Sequence, residues 1–214
     1  MIKTGIYRTA LLLLAFFLFT MAVINVDVQP IGPEGSSVGF AHINGAVHSA
    51  FPYSEIFYKL TTYLGYLALL AVLGYGVLGV LQLIKRRSLK KVDGQLIALG
   101  VFFVVMLICY AVFEKLPVNY RPVILEEGLE ASYPSSHTML ALCVFGAMMV
   151  PYPQLIPAEK LGLVRAAAGA LMAISVVGRL LSGVHWLSDI LGGLLLSTGL
   201  VMLYQAVVEI HKTL

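Results

Sequence analysis

Apolar residues run along this chain in six stretches, at about 8–26, 60–84, 95–114, 137–152, 161–182 and 185–208. A helix crossing a membrane needs about 20 consecutive apolar residues, because each residue rises about 1.5 Å through a hydrocarbon core roughly 30 Å thick. The runs are continuous rather than alternating, which predicts lipid-embedded helices and no strands. The fourth run is short and meets Pro151-Tyr-Pro153-Gln-Leu-Ile-Pro157, so it is expected either to begin as early as Ser135 or to lean on neighbouring helices instead of lipid. The first run follows Lys3 and Arg8 and has the outline of a secretory leader, with Thr20 and Ala22 as a weak small-x-small site. It is read as a retained helix, since its removal would leave five crossings and a reversed terminus. Between the first two runs, Phe40, Ile43, Val47 and Phe51 recur near helical spacing, which predicts an amphipathic surface helix within 39–51. His42 and His48 in that segment are given no catalytic role. No internal repeat divides the chain. The predicted fold is therefore all-α, a six-transmembrane-helix bundle over residues 1–214 with one short extracytoplasmic interfacial helix.

Composition names the solvent. Hydrophobic residues make up 59% of the chain and charged residues 12%, with a mean hydropathy of +0.91, which excludes an ordinary soluble domain. The net charge of +3 is spread over loops and carries no case for nucleic acid. Cys109 and Cys143 fall in apolar helical runs and read as small buried hydrophobes. Placing both termini in the cytoplasm puts Lys3, Arg8, Lys85, Arg86, Arg87, Lys90, Lys91, Lys160, Arg165 and Lys212 inside, and leaves only Lys59, Lys115, Arg121 and Arg179 outside. The positive-inside rule favours that orientation. Lys85 to Lys91 then reads as a cytoplasmic anchor on anionic lipid, and Trp186, Tyr120 and Tyr133 suit the outer aromatic belt. Glu126, Glu127 and Glu130 read as a solvated loop rather than a metal site. The short loops and the lack of an Asn-x-Ser/Thr site lean towards a bacterial cell-membrane protein.

Against this background, the fragment Gly178-Arg179-Leu-Leu-Ser-Gly-Val-His185-Trp-Leu-Ser-Asp189 places three ionisable groups where an apolar helix tolerates few. In a helix beginning near His185, Asp189 lies one turn on, within reach of the imidazole. Arg179, just before the Ser182-Gly183 turn, offers a planar fork to a phosphate. The predicted topology brings two further motifs to the same face: Glu114-Lys115-Leu-Pro-Val-Asn-Tyr-Arg121-Pro122 and Pro134-Ser135-Ser136-His137. Lys115, Arg121 and Arg179, with the N–H groups at the start of the fourth helix, balance a phosphate dianion. A neutral imidazole whose other nitrogen donates to a carboxylate is a competent nucleophile towards phosphorus.

These motifs resemble those of the type 2 phosphatidic acid phosphatase superfamily, which read Lys-x6-Arg-Pro, Pro-Ser-Gly-His and Ser-Arg-x5-His-x3-Asp. The resemblance implies a metal-independent phosphatase with no cofactor. His185 would attack phosphorus, Asp189 would orient it and His137 would protonate the leaving oxygen, while Arg121, Arg179, Ser135, Ser136 and Lys115 would hold the phosphoryl group. It implies a lipid phosphomonoester or diphosphate as substrate, such as phosphatidylglycerol phosphate, undecaprenyl diphosphate or phosphatidic acid. Membrane lipids would be the surroundings, and no protein partner is implied. Three positions depart from the family pattern: Lys115 is one residue too close to Arg121, with Glu114 where the family has lysine; Ser136 replaces glycine; Gly178 replaces serine. Two alternatives remain: a lipid-phosphate carrier with the same pocket, and a vanadate-dependent haloperoxidase, which a membrane-embedded chain disfavours.

Overall fold

A computed structural model describes residues 2–125, 128–153 and 155–213, the side chains of 2–4 and 211–213 excepted. Glu126 and Glu127 lie outside the described residues, as do the side chains of Lys3 and Lys212. The helices are α1 (Ile2–Asn25), α2 (Ala41–Ala50), α3 (Glu55–Arg86), α4 (Gly94–Lys115), α5 (Ser136–Met148), α6 (Ala158–Leu181) and α7 (Leu187–Thr213). Among the described residues the only β pairings are two isolated bridges, Gln29 with Val38 and Tyr120 with Ala131. The fold is all-α, and α1, α3, α4, α6 and α7 are long and apolar enough to cross a membrane.

The fourth predicted run is the exception. It forms α5, which stops at Met148 instead of reaching 152, and its 13 residues extend only about 20 Å. Eight of those residues are buried, against three of the 32 in α3. The short helix is thus enclosed by protein, packed against α3, α6 and α7, while α1 lies along α7. Phe102, Phe103, Met139, Val144, Leu196 and Leu200 form part of the core around it. Cys143 is buried there and Cys109 half-buried, both free. Outward-facing residues such as Leu11, Phe17, Leu70, Leu73 and Leu107 are more than half exposed, the surface a bilayer solvates.

Two devices fix the end of the bundle that carries the motifs. The predicted surface helix is α2, and Asp27 caps it: its Oδ2 accepts the His42 N–H at 2.8 Å, close to the helix start. Beneath it, the Thr20 and Tyr133 hydroxyls hydrogen-bond at 2.7 Å, tying α1 to the segment before α5. The chain from α1 to α2 returns so tightly that a Cβ on Gly39 would stand 1.6 Å from the Val23 carbonyl oxygen. No side chain can be flexed to relieve a clash with backbone. Gly39→Ala is expected to cost about 3 kcal/mol or more, at the upper end for overpacking. It should appear as a clear fall in the thermal midpoint of the detergent-solubilised protein, and an unchanged midpoint would show that the 23–39 return opens freely.

Candidate active site

Arg179 lies in the last turn of α6 and has no exposed surface. A guanidinium in such a place needs partners. Its Nη1 donates to Thr61 Oγ1 at 2.9 Å, and its Cζ stands 5.3 Å from the centre of the Tyr58 ring, a cation–π contact. Both partners come from α3. The Nε and Nη2 groups remain buried with no partner among the described residues. The neighbouring departure from the family pattern has a steric cause: a Cβ on Gly178 would meet Thr61 Cγ2 at 2.8 Å, so α3 comes close enough to hold the arginine only because that position is glycine.

After α6 the chain reverses through Gly183, whose φ of +65° and contact with the Pro52–Tyr53 backbone both exclude a side chain. His185 follows. It precedes α7 instead of starting it, so its pairing with Asp189 is made across the helix start. Asp189 Oδ2 accepts the Trp186 N–H at 3.0 Å, the reach-back half of a capping box, and stands 3.5 Å from His185 Nδ1. That distance is long for a hydrogen bond. Both ring nitrogens of His185 are buried, and neither makes a well-aligned hydrogen bond among the described residues. Burial, followed by the charges of Arg179 and Arg121, pushes the imidazole well below its ordinary value of 6.5, with the Ser132 backbone opposing them. His185 is therefore held neutral.

Two asparagines complete this turn, and the motifs did not reveal either of them. Asn119 Nδ2 donates to Asp189 Oδ1 at 2.9 Å and also reaches Ser188 Oγ at 3.2 Å. From α2, Asn44 accepts the Ser188 N–H at 3.0 Å and donates to Ser188 Oγ at 2.9 Å, meeting one of the donors a helix start leaves over. Asn119 and Asn44 are each 1% exposed. The only sequence signal was an amide two residues before Arg121.

Arg121 and His137 close the cluster. Arg121 Nε stands 2.8 Å from Glu130 Oε2, an ion pair by distance whose N–H is not aimed at the oxygen, and Nη1 has no partner among the described residues. His137 is the second residue of α5, its Nδ1 buried and unpartnered, its ring packed on Gly65 of α3. Ser135 caps α5 by accepting the Thr138 N–H at 3.4 Å. Its own N–H donates to the Asp189 carbonyl at 2.9 Å. Helix geometry leaves the N–H groups of Ser136 and His137 without an intrahelical acceptor. Lys115 is not brought to this cluster. It is exposed at the end of α4, facing α1.

The free groups that converge here are N–H donors of Arg179 and Arg121 beside two imidazoles, which is the chemistry of an anion site. Among the described residues no group of three or more His, Cys, Asp or Glu side chains is placed to hold a metal ion. The family model of the PAP2 superfamily matches residues 46–211. The chain belongs to the PAP2 superfamily. Its fold is that of a membrane phosphatase: a crystal structure described as the first transmembrane PAP2 type phosphatidylglycerolphosphate phosphatase, from Bacillus subtilis, superposes with a TM-score of 0.70. The alignment covers 95% of this chain and 96% of that one at 19% sequence identity, a likeness of fold. No curated protein matches the chain.

In this PAP2 chain Asn119 holds the Asp189 carboxylate in place. Asn119→Ala removes the donor and leaves Asp189 Oδ1 unsatisfied in a buried site, a cost of about 1–3 kcal/mol. The expected result is a loss in kcat on the order of ten- to a hundred-fold with KM little changed. Equal losses for Asn119→Ala and for a destabilised variant remote from the site would reduce its role to folding.

Proposed function

We propose that this PAP2 superfamily protein is a lipid phosphatase that hydrolyses a phosphomonoester or diphosphate through a phosphohistidine on His185, without a metal. The observation that carries the proposal is the fully buried Arg179, with Nε and Nη2 unpartnered among the described residues, beside a buried neutral His185 backed by Asp189. Buried donors left empty cost about 1–3 kcal/mol each, and a phosphoryl group would satisfy them.

In this mechanism Arg179, Arg121 and the start of α5 bind the phosphoryl oxygens, and the charge developing on them is stabilised where water is excluded. His185 Nε2 attacks phosphorus as the bond to the leaving oxygen breaks, and His137 gives that oxygen its proton. Asp189 accepts from Nδ1 and stabilises the positive charge that the ring acquires. Water then displaces the histidine, losing its proton to His137, and inorganic phosphate leaves. Phosphatidylglycerol phosphate, undecaprenyl diphosphate and phosphatidic acid are the proposed substrate class, the first supported by the Bacillus neighbour's description. A site at one end of the bundle suits substrates whose tails stay in lipid. The distribution of basic residues supports an extracytoplasmic site in a bacterial cell membrane.

The test is phosphate release from these lipids by purified protein in detergent, with rapid-quench trapping. Wild type should turn over equally with and without chelator and carry acid-labile phosphate. His185→Ala should lose both turnover and label, and His137→Ala should lose turnover while folding normally. Equal labelling of wild type and His185→Ala would sink the nucleophile assignment, and stoichiometric binding without turnover would turn the protein into a carrier.

The neutral state of His185 also fixes the direction of the pH dependence. Protonation removes the attacking lone pair, so kcat/KM falls as pH falls, and the lowered value carries that fall to the acid side of 6.5. The profile should be measured with the titration of the substrate's own phosphate determined separately. A limb centred at 6.5 or above would assign attack to another group.

A further inference from the structure

Glu114 and Lys115 are adjacent at the end of α4 but face different parts of the molecule, as successive helical residues about 100° apart must. Glu114 borders Tyr133, Pro134 and Ser136 on the side of the reaction centre. Lys115 lines an open groove of about 690 Å³ between α1 and α4. The groove walls are apolar, from Phe17, Met21 and Ile24 on α1 and Val112 on α4, and Lys115 is the only ionisable residue among those lining it. Its ammonium forms no ion pair among the described residues. The volume falls within the range of about 300–1,000 Å³ typical of ligand sites.

Aromatic packing separates this groove from the reaction centre. Tyr133 stacks on Phe16 at 6.2 Å and meets Phe113 edge-on at 5.9 Å, and its hydroxyl is held by Thr20. Tyr133 itself is 1% exposed and packs on Gly192 of α7. A molecule in the groove meets this wall before it reaches His137 or Arg179.

We propose that the α1/α4 groove is a second lipid site, which binds one anionic phospholipid that is not the substrate. An acyl chain lies along Phe17, Met21 and Val112, and the phosphodiester rests on Lys115. Charge complementarity selects the ligand: apolar walls accept any tail, whereas a lone cation at the end of the groove favours a headgroup with net negative charge. The one-residue offset that takes Lys115 away from the reaction centre is what delivers it here. The groove ends in Leu116, Pro117 and Val118, which lead directly into Asn119 and its bond to Asp189, so an occupied groove braces the segment that positions the carboxylate.

The test is native mass spectrometry of the purified full-length protein exchanged into detergent with phosphatidylglycerol or phosphatidylcholine. Neither lipid has a terminal phosphate to hydrolyse. Wild type should retain one phosphatidylglycerol in preference to phosphatidylcholine. Lys115→Gln should weaken that retention about five-fold, since one lysine near a lipid phosphate is worth about 1 kcal/mol. Met21→Trp, which fills the groove and leaves the ammonium in place, should abolish it. Arg179→Ala should retain the lipid as wild type does. Undiminished retention by Lys115→Gln or Met21→Trp would overturn the proposal, as would loss of the lipid in Arg179→Ala, which would place it in the reaction centre. A second protein copy in place of the lipid would overturn it too.

Discussion

One carboxylate with no exposed surface, Asp189, joins four separate pieces of chain. Its side chain accepts from the Trp186 backbone and from Asn119, it faces His185, and its own carbonyl receives the Ser135 N–H. The start of α7, the start of α5, the loop before Arg121 and the turn after α6 are all positioned by it. A lone buried carboxylate is costly. Two N–H donors, from the Trp186 backbone and Asn119, help this molecule accommodate it, and the same bonds hold the carboxylate facing the imidazole. Helix cap, scaffold and backing for the imidazole are therefore one group.

Arg179 is the complementary case. Its partners, Thr61 and Tyr58, satisfy one donor and the face of the cation, while Nε and Nη2 have no partner among the described residues. α3 has to stand close for this to work, and Gly178 permits it. The fold thus invests two glycine positions, 178 and 183, in holding one guanidinium and one imidazole at the end of the bundle.

The broad architecture was legible because lipid imposes a simple rule: each spanning helix must be apolar along its whole length. Five helices obey it, and their positions follow the hydropathy pattern closely. α5 is equally apolar but too short to span, because protein surrounds it, and hydropathy cannot distinguish a helix solvated by lipid from one solvated by other helices. The motif residues His137, Arg179, His185 and Asp189 were legible because charge in an apolar run is conspicuous, and the structure brings them together with Arg121. Asn119, Asn44 and Thr61 were not. They are ordinary polar residues whose importance exists only through partners 69 to 144 positions away. The helix phase of Lys115 was equally hidden, since a one-residue offset means little in a loop and about a quarter-turn on a helix.

Because α5 ends after 13 residues, the end of the bundle opposite the reaction centre has one helix fewer than the other end. The segment that replaces it is irregular, and side chains hold its carbonyls: Gln95 donates to Pro151 O at 2.9 Å and Arg165 to Met149 O at 3.0 Å. Such polar backbone is tolerated at membrane depth only when shielded or hydrated. Val150 and Tyr152 of this segment are buried, so protein shields the backbone where α5 falls roughly 10 Å short of a full span. A helix too short to match a bilayer by itself is accommodated because its neighbours, not lipid, set the length it has to fill.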